Sequence, residues 1–268
     1  MLRPPVHRRG IAAIAAAAIG LAGLAACEER AVRLEYRPED GERDTYALEV
    51  TTVTTTALKG ESSRTEKDAF SLRVAHRVLN DGTRVAVRLT GPGDTPRDFV
   101  VRLDRAGQLT SVETVEGLPA QALGPLGLSE VFPASVTAPP ARPLRPGDRW
   151  TVDSSVLLAG APPARLVGRG RLAGVGVSGG DELATVETDV SLPVNRLTPT
   201  DSGGTAHLVG TQRSRVRSTH RLRDGVLRSA RAQTTGRFDL TLSPATPDGG
   251  PPVTGTLTVV VTSTTKYV

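Results

Sequence analysis

The chain has 268 residues, 33 of them Lys or Arg and 28 Asp or Glu, for a formal charge of +5. Arg3, Arg8 and Arg9 precede every acidic residue, and beyond residue 26 the balance is 30 basic to 28 acidic, too even and too dispersed to point to nucleic acid. A single cysteine excludes an intrachain disulfide framework, and eight aromatic residues leave Val, Leu and Ala to fill the core.

The chain opens MLRPPVHRRG, continues with 16 uncharged apolar residues at 11–26, and turns charged at Glu28, Glu29 and Arg30. A basic start, an apolar middle and a small-residue exit form the secretory signal pattern. The run is short of the ~20 residues that cross a bilayer as a helix. Leu24-Ala25-Ala26-Cys27 resembles the lipobox of bacterial lipoproteins. That resemblance implies that residues 1–26 are a signal peptide removed before Cys27. It also implies that the Cys27 thiol carries a diacylglyceryl group, with acyl chains such as palmitate, holding the protein on the extracytoplasmic face of the cell membrane. The alternative is an ordinary signal peptide cut after Ala26, which leaves Cys27 a free thiol. Residues 27–33 then read as a lipidated tether reaching roughly 20 Å, at ~3.3 Å per residue. Arg8-Arg9 sits between His7 and Gly10, a poor match to a twin-arginine export signal, which favours general secretion. Arginine outnumbers lysine 30 to 3, a usage similar to that of GC-rich actinobacteria.

Beyond the tether the hydrophobic period is two. Tyr46, Leu48 and Val50 alternate with small or polar residues, and Phe70, Leu72 and Val74 repeat the pattern. Asn80-Asp81-Gly82 is a hairpin signal, because Asn and Gly accept positive φ. Val85, Val87 and Leu89 make a third strand, Phe99, Val101 and Leu103 a fourth, and 109–115 a fifth, so 32–116 reads as an antiparallel meander.

The next stretch breaks the alternation. LPAQALGPLGLSEVF at 118–132 places Leu118, Leu123, Leu126, Leu128 and Phe132 among Gly and Pro. One or two short helical turns are expected there, laid against the sheet as a plug completing the core or as a lid over an apolar ligand. Residues 133–148 are extended and proline-rich, and Pro146-Gly147 suits the centre of a type II turn just before Trp150.

The second half returns to period two. Leu166, Gly168, Gly170 and Leu172 share one face, with the glycines marking a bend or bulge. Ala184, Val186 and Val190 form another strand, 206–222 a long polar one, and 226–234, 238–242 and 253–261 the rest. The basic stretches 213–221 and 223–231 read as solvent faces of strands. The turn Leu103-Asp104-Arg105-Ala106-Gly107 is echoed by Leu222-Arg223-Asp224-Gly225. The fold class is therefore mostly β, an antiparallel curved sheet forming a half-barrel or a sandwich. Residues 34–268 are one domain or two similar β units, 34–116 and 149–268, joined by 117–148.

No constellation in the sequence carries chemistry. His76, His207 and His220 are unclustered, no second cysteine or helical His pair completes a zinc set, and no G-x-S-x-G is present. An enzyme is not expected, and neither is a cofactor or a metal. The lipoprotein address joined to a largely antiparallel sheet resembles the LolA-type half-barrel lipoproteins and their mycobacterial relatives. That resemblance implies acyl chains held between a curved sheet and small helices. Two functions stand: a membrane-anchored protein that binds or carries a lipid or other apolar envelope molecule, and a non-catalytic structural or protein-interaction lipoprotein.

Overall fold

A computed structural model of the chain describes residues 30–79, 82–91, 96–116, 136–137, 139–156, 164–200, 203–245 and 250–268. Eleven strands run in chain order. The first five are β1 (Arg43–Leu58), β2 (Arg64–Val78), β3 (Arg84–Thr90), β4 (Arg97–Leu103) and β5 (Leu109–Glu116). The other six are β6 (Arg149–Val156), β7 (Ala164–Ser178), β8 (Asp181–Pro199), β9 (Thr205–Arg221), β10 (Leu227–Ser243) and β11 (Val253–Tyr267). All pair antiparallel in one sheet of order β5-β4-β3-β2-β1-β11-β10-β9-β8-β7-β6. The edge strands β5 and β6 approach each other, so the sheet curls into a nearly closed barrel instead of a sandwich. Among the described residues there is no α-helix. The helical turns expected at 118–132 lie outside them.

The alternation sets the two faces. Tyr46, Leu48 and Val50 of β1 are buried, while Ala47 and Glu49 are exposed, and β9 and β10 repeat the pattern. The inward side chains of both halves form one apolar cluster. Outward positions carry charges that pair across strands: Arg88 with Asp98, Arg165 with Asp153, and Glu187 between Arg171 and Arg217. A membrane-spanning barrel has the reverse polarity, with an outward apolar band about 25 Å tall.

Glycine lets the sheet bend where a side chain would collide. A Cβ at Gly168 would run into the Asp189 carbonyl, and one at Gly210 into that of Arg237. At Gly170 the obstruction is the Trp150 indole, which lies across it from the neighbouring strand. Trp150 Nε1 donates to the Thr137 carbonyl at 2.8 Å, and Val136 beside it is fully buried. The turn before Trp150 closes as expected, with Asp148 N donating to Arg145 O at 2.9 Å and Gly147 at φ +92°.

One end of the barrel is crossed by residues 31–37. Val32 exchanges two backbone hydrogen bonds with Leu144, Tyr36 N donates to Arg105 O, and Arg37 N donates to Asp224 O. This strap thus spans from the β4–β5 turn to the β9–β10 turn, the two turns whose sequences echo each other. Val32 and Leu34 are buried beneath it, so the chain is already part of the packed body at residue 32. Gly225, at φ +74°, lies against the Glu35 carbonyl so closely that no side chain fits.

Because Trp150 is the sole tryptophan and covers Gly170, Gly170→Ala should displace its ring. The expected result is a red-shifted emission and a loss of about 1–3 kcal/mol in urea unfolding, the usual range for overpacking.

Candidate functional site

The inner face gathers buried side chains from nearly every strand. Two successive rows cross its middle. In the first, Gly170, Thr188, Val216, Ala232 and Ser263 stand side by side, and in the second, Gly168, Val190, Ser214, Thr234 and Val261 do. From β6 round to β1 neither row holds an ionisable side chain. The polar members are hydroxyls. Ser214 Oγ and Thr234 Oγ1 are 2.9 Å apart, and Gln212 Nε2 reaches Ser214 Oγ at 3.5 Å. Thr188 is 2% exposed, and its Oγ1 has no hydrogen-bond partner among the described residues.

The face opens to solvent beside β2. Strand β3 pairs only with the Arg73 to Val78 part of β2, so, among the described residues, 64–72 form a sheet edge with no strand beside it. Phe70 stands opposite Val50, on the inner face, yet is 47% exposed. Arg64, Glu66, Lys67 and Asp68 surround it, charges that discourage edge-to-edge pairing with another chain.

The strapped end is ionic. Arg221 stands where β9 runs out, and the β9–β10 turn folds Asp224 over it, with Arg221 Nε donating to Asp224 Oδ1 at 2.8 Å. Its Nη2 donates to Glu42 Oε1 at 3.0 Å, tying the turn to the segment before β1. The Arg221 side chain is only 7% exposed. Reading 213–221 as a solvent face therefore holds for Arg213, Arg215 and Arg217 and fails for Arg221, because the turn folds over this outward position at the end of the strand. Beside this group Tyr46 meets the His76 ring at 5.0 Å and Tyr267 edge-on at 5.7 Å, and the Arg228 guanidinium lies over Tyr267 at 4.3 Å.

Burial sets the protonation of this end. It pushes the Asp44 carboxyl up to about 6, helped by Glu42 and opposed by Arg221. It pulls His76 and His220 down to about 4, the latter slightly offset by its hydrogen bond with the Gly225 carbonyl. A neutral His220 donates from Nδ1 to Gly225 O at 3.3 Å and accepts at Nε2 from Ser218 Oγ at 2.8 Å.

Of the residues singled out in the sequence, His76 and His220 both face inward at the strapped end, whereas His207 is half-buried and bonded to Asn195 at 2.7 Å. Cys27, Leu118, Leu123, Leu126, Leu128 and Phe132 lie outside the described residues. Among the described residues no group of His, Cys, Asp and Glu is placed to hold a metal ion. The inner hydroxyls escaped the sequence reading, although parity marks them: Thr188 falls in step with Ala184, Val186 and Val190, and Ser214 with Val216.

The pH dependence of stability follows with its sign. His76 and His220 titrate near 6.5 when unfolded and near 4 in the fold, so each costs nothing above pH 6.5 and about 3 kcal/mol once the pH reaches 4. Asp44 opposes them, because its neutral form is favoured in the fold and its penalty, full above pH 6, fades as the pH falls to 3.8. Two histidines outweigh one carboxyl, so the urea midpoint should fall between pH 6.5 and 4. Asp44→Asn should steepen that fall and His76→Gln should flatten it. Arg221→Met should cost about 2–4 kcal/mol at pH 7, since it strands Asp224 and Glu42 near one another without their cation.

No known protein family matches the chain, and no curated protein matches it in sequence. Among solved structures the chain is similar to the crystal structure of Pseudomonas aeruginosa OccK11 (OpdR), at 9% identity over 86% of this chain and 98% of that one. The TM-score is 0.22, a likeness too slight to carry an argument about function.

Proposed function

We propose that this protein is a lipoprotein of the cell envelope, anchored through Cys27 on the extracytoplasmic face of the membrane, whose barrel holds an apolar envelope molecule. The observation that carries the reading is the exposed edge at β2, where the inward ring of Phe70 meets solvent at the margin of the inner face. Barrel width supports it. Eight strands make an interior that side chains just fill, and diameter grows with strand number. This sheet has eleven, and much of its inner surface is Gly168, Gly170, Ala232, Gly236, Ser214 and Ser263, which reach only a short way inward. The lipobox resemblance supports the anchor. The competing reading, a structural or protein-interaction lipoprotein, is favoured by the inward residues of both halves forming one buried cluster.

Two measurements test the proposal. Protein purified from its own membranes, extracted with organic solvent and analysed by mass spectrometry, should release an apolar molecule in near-stoichiometric amount besides the anchor's own acyl chains. Extraction of the anchor lipids alone would favour the structural reading. Cys27→Ala should abolish acyl labelling and leave an unprocessed precursor, and persistence of labelling at mature size would refute the anchor.

A further inference from the structure

We infer that the molecule held in the barrel is a neutral amphiphile, an acyl chain bearing an uncharged ester or hydroxyl group, recognised midway along the inner face by Thr188, Ser214 and Thr234. The inference rests on the cargo reading above and names the chemistry of that cargo.

Three observations carry it. The first is the inward hydroxyl of Thr188, 2% exposed and without a hydrogen-bond partner among the described residues. A buried hydroxyl left unpaired is unfavourable, and a ligand oxygen at that point would satisfy it. The second is its surroundings. Ser214, bonded to Thr234 at 2.9 Å, is the diagonal cross-strand neighbour of Thr188, and such neighbours lie roughly 7 Å apart, within the span of one ester or glycerol group. Gly170 stands directly opposite Thr188 on β7 and contributes no side chain there, and the Trp150 indole lies over the glycine.

The third observation is the placement of charge. The rows holding these hydroxyls have no ionisable side chain from β6 to β1. Beyond that span Asp68 stands opposite Thr52 at the β2 edge, and at the strapped end Arg221 is already engaged by Asp224 and Glu42. A carboxylate or ammonium head at the level of Thr188 would lose its water and meet no counter-charge. A neutral head meets donors and acceptors matched to it, and its chain meets Val190, Val216 and Val261.

The test uses the full-length protein, delipidated, with Trp150 emission reporting occupancy. Four probes share a long alkyl chain: monoolein, oleate, oleylamine and hexadecane. Monoolein should bind at least about tenfold more tightly than either ion at pH 7.5, the factor that one hydrogen bond in apolar surroundings supplies. Thr188→Val, nearly isosteric, should weaken monoolein about tenfold while leaving hexadecane unchanged, and Thr188→Ser should retain the preference. Oleate or oleylamine binding as tightly as monoolein would overturn the inference, as would equal loss of monoolein and hexadecane in Thr188→Val. Binding of none of the four probes would overturn the cargo reading itself, a result distinct from a wrong head-group preference. Thermal unfolding of both variants keeps these outcomes separate from misfolding, since losing an unpaired hydroxyl should leave the midpoint of Thr188→Val at or above that of the parent.

Discussion

Everything in this barrel depends on the pairing of its first strand with its last. Strands β1 and β11 are zipped from Tyr46 opposite Tyr267 to Leu58 opposite Gly255, and Val268 N still donates to Thr45 O beyond the ladder. Remove that seam and two open meanders remain, β1 to β5 and β6 to β11, each with a long unpaired edge. The seam joins residues about two hundred positions apart, so its loop-closure entropy is spent before its contacts form. Slow, late closure is the cost of this topology, and the nine other strand pairings, all between sequence neighbours, form over far shorter loops.

Closure also fixes what each face must be. With β1 and β11 joined, every inward residue of one half faces the other half, and apolar side chains gather into a single cluster. Outward residues face water, where arginines and carboxylates on adjacent strands pair at little individual worth. The glycines at the close approaches then set how tightly the sheet can curl. The same glycines keep the inner surface shallow, and curvature and interior space thus come from one choice of residue.

Much of this was legible in the chain. The alternations Tyr46-Leu48-Val50 and Phe99-Val101-Leu103 mark strands and their buried faces, and Pro146-Gly147 marks the turn that introduces Trp150. Leu166, Gly168, Gly170 and Leu172 do share the inner face, and the ladder slips beside them between Leu172 and Gly174. Period two, however, states only which face a residue takes. It does not say that β1 meets β11, because partner choice is a long-range property. Nor does it separate Thr188 and Ser214, inward and buried, from the outward threonines of β1, since burial is decided by what lies opposite. Arg221 was misread for a related reason: its burial comes from a turn folding over a strand end. The paired turns at Asp104 and Asp224 were visible as an echo, but their common role, gripping residues 31–37 from either side, appears only in three dimensions.

The strap has a mechanical consequence. Its bonds to Leu144, Arg105 and Asp224 lie in series along residues 31–37, so tension applied from the N-terminal side loads them one at a time, as in opening a zipper. The β1–β11 seam lies further along the chain, and pulling its two strands past one another would strain the whole ladder in parallel. Force entering through an N-terminal attachment would therefore be spent peeling the strap. The barrel beyond it keeps its shape until that fuse has parted.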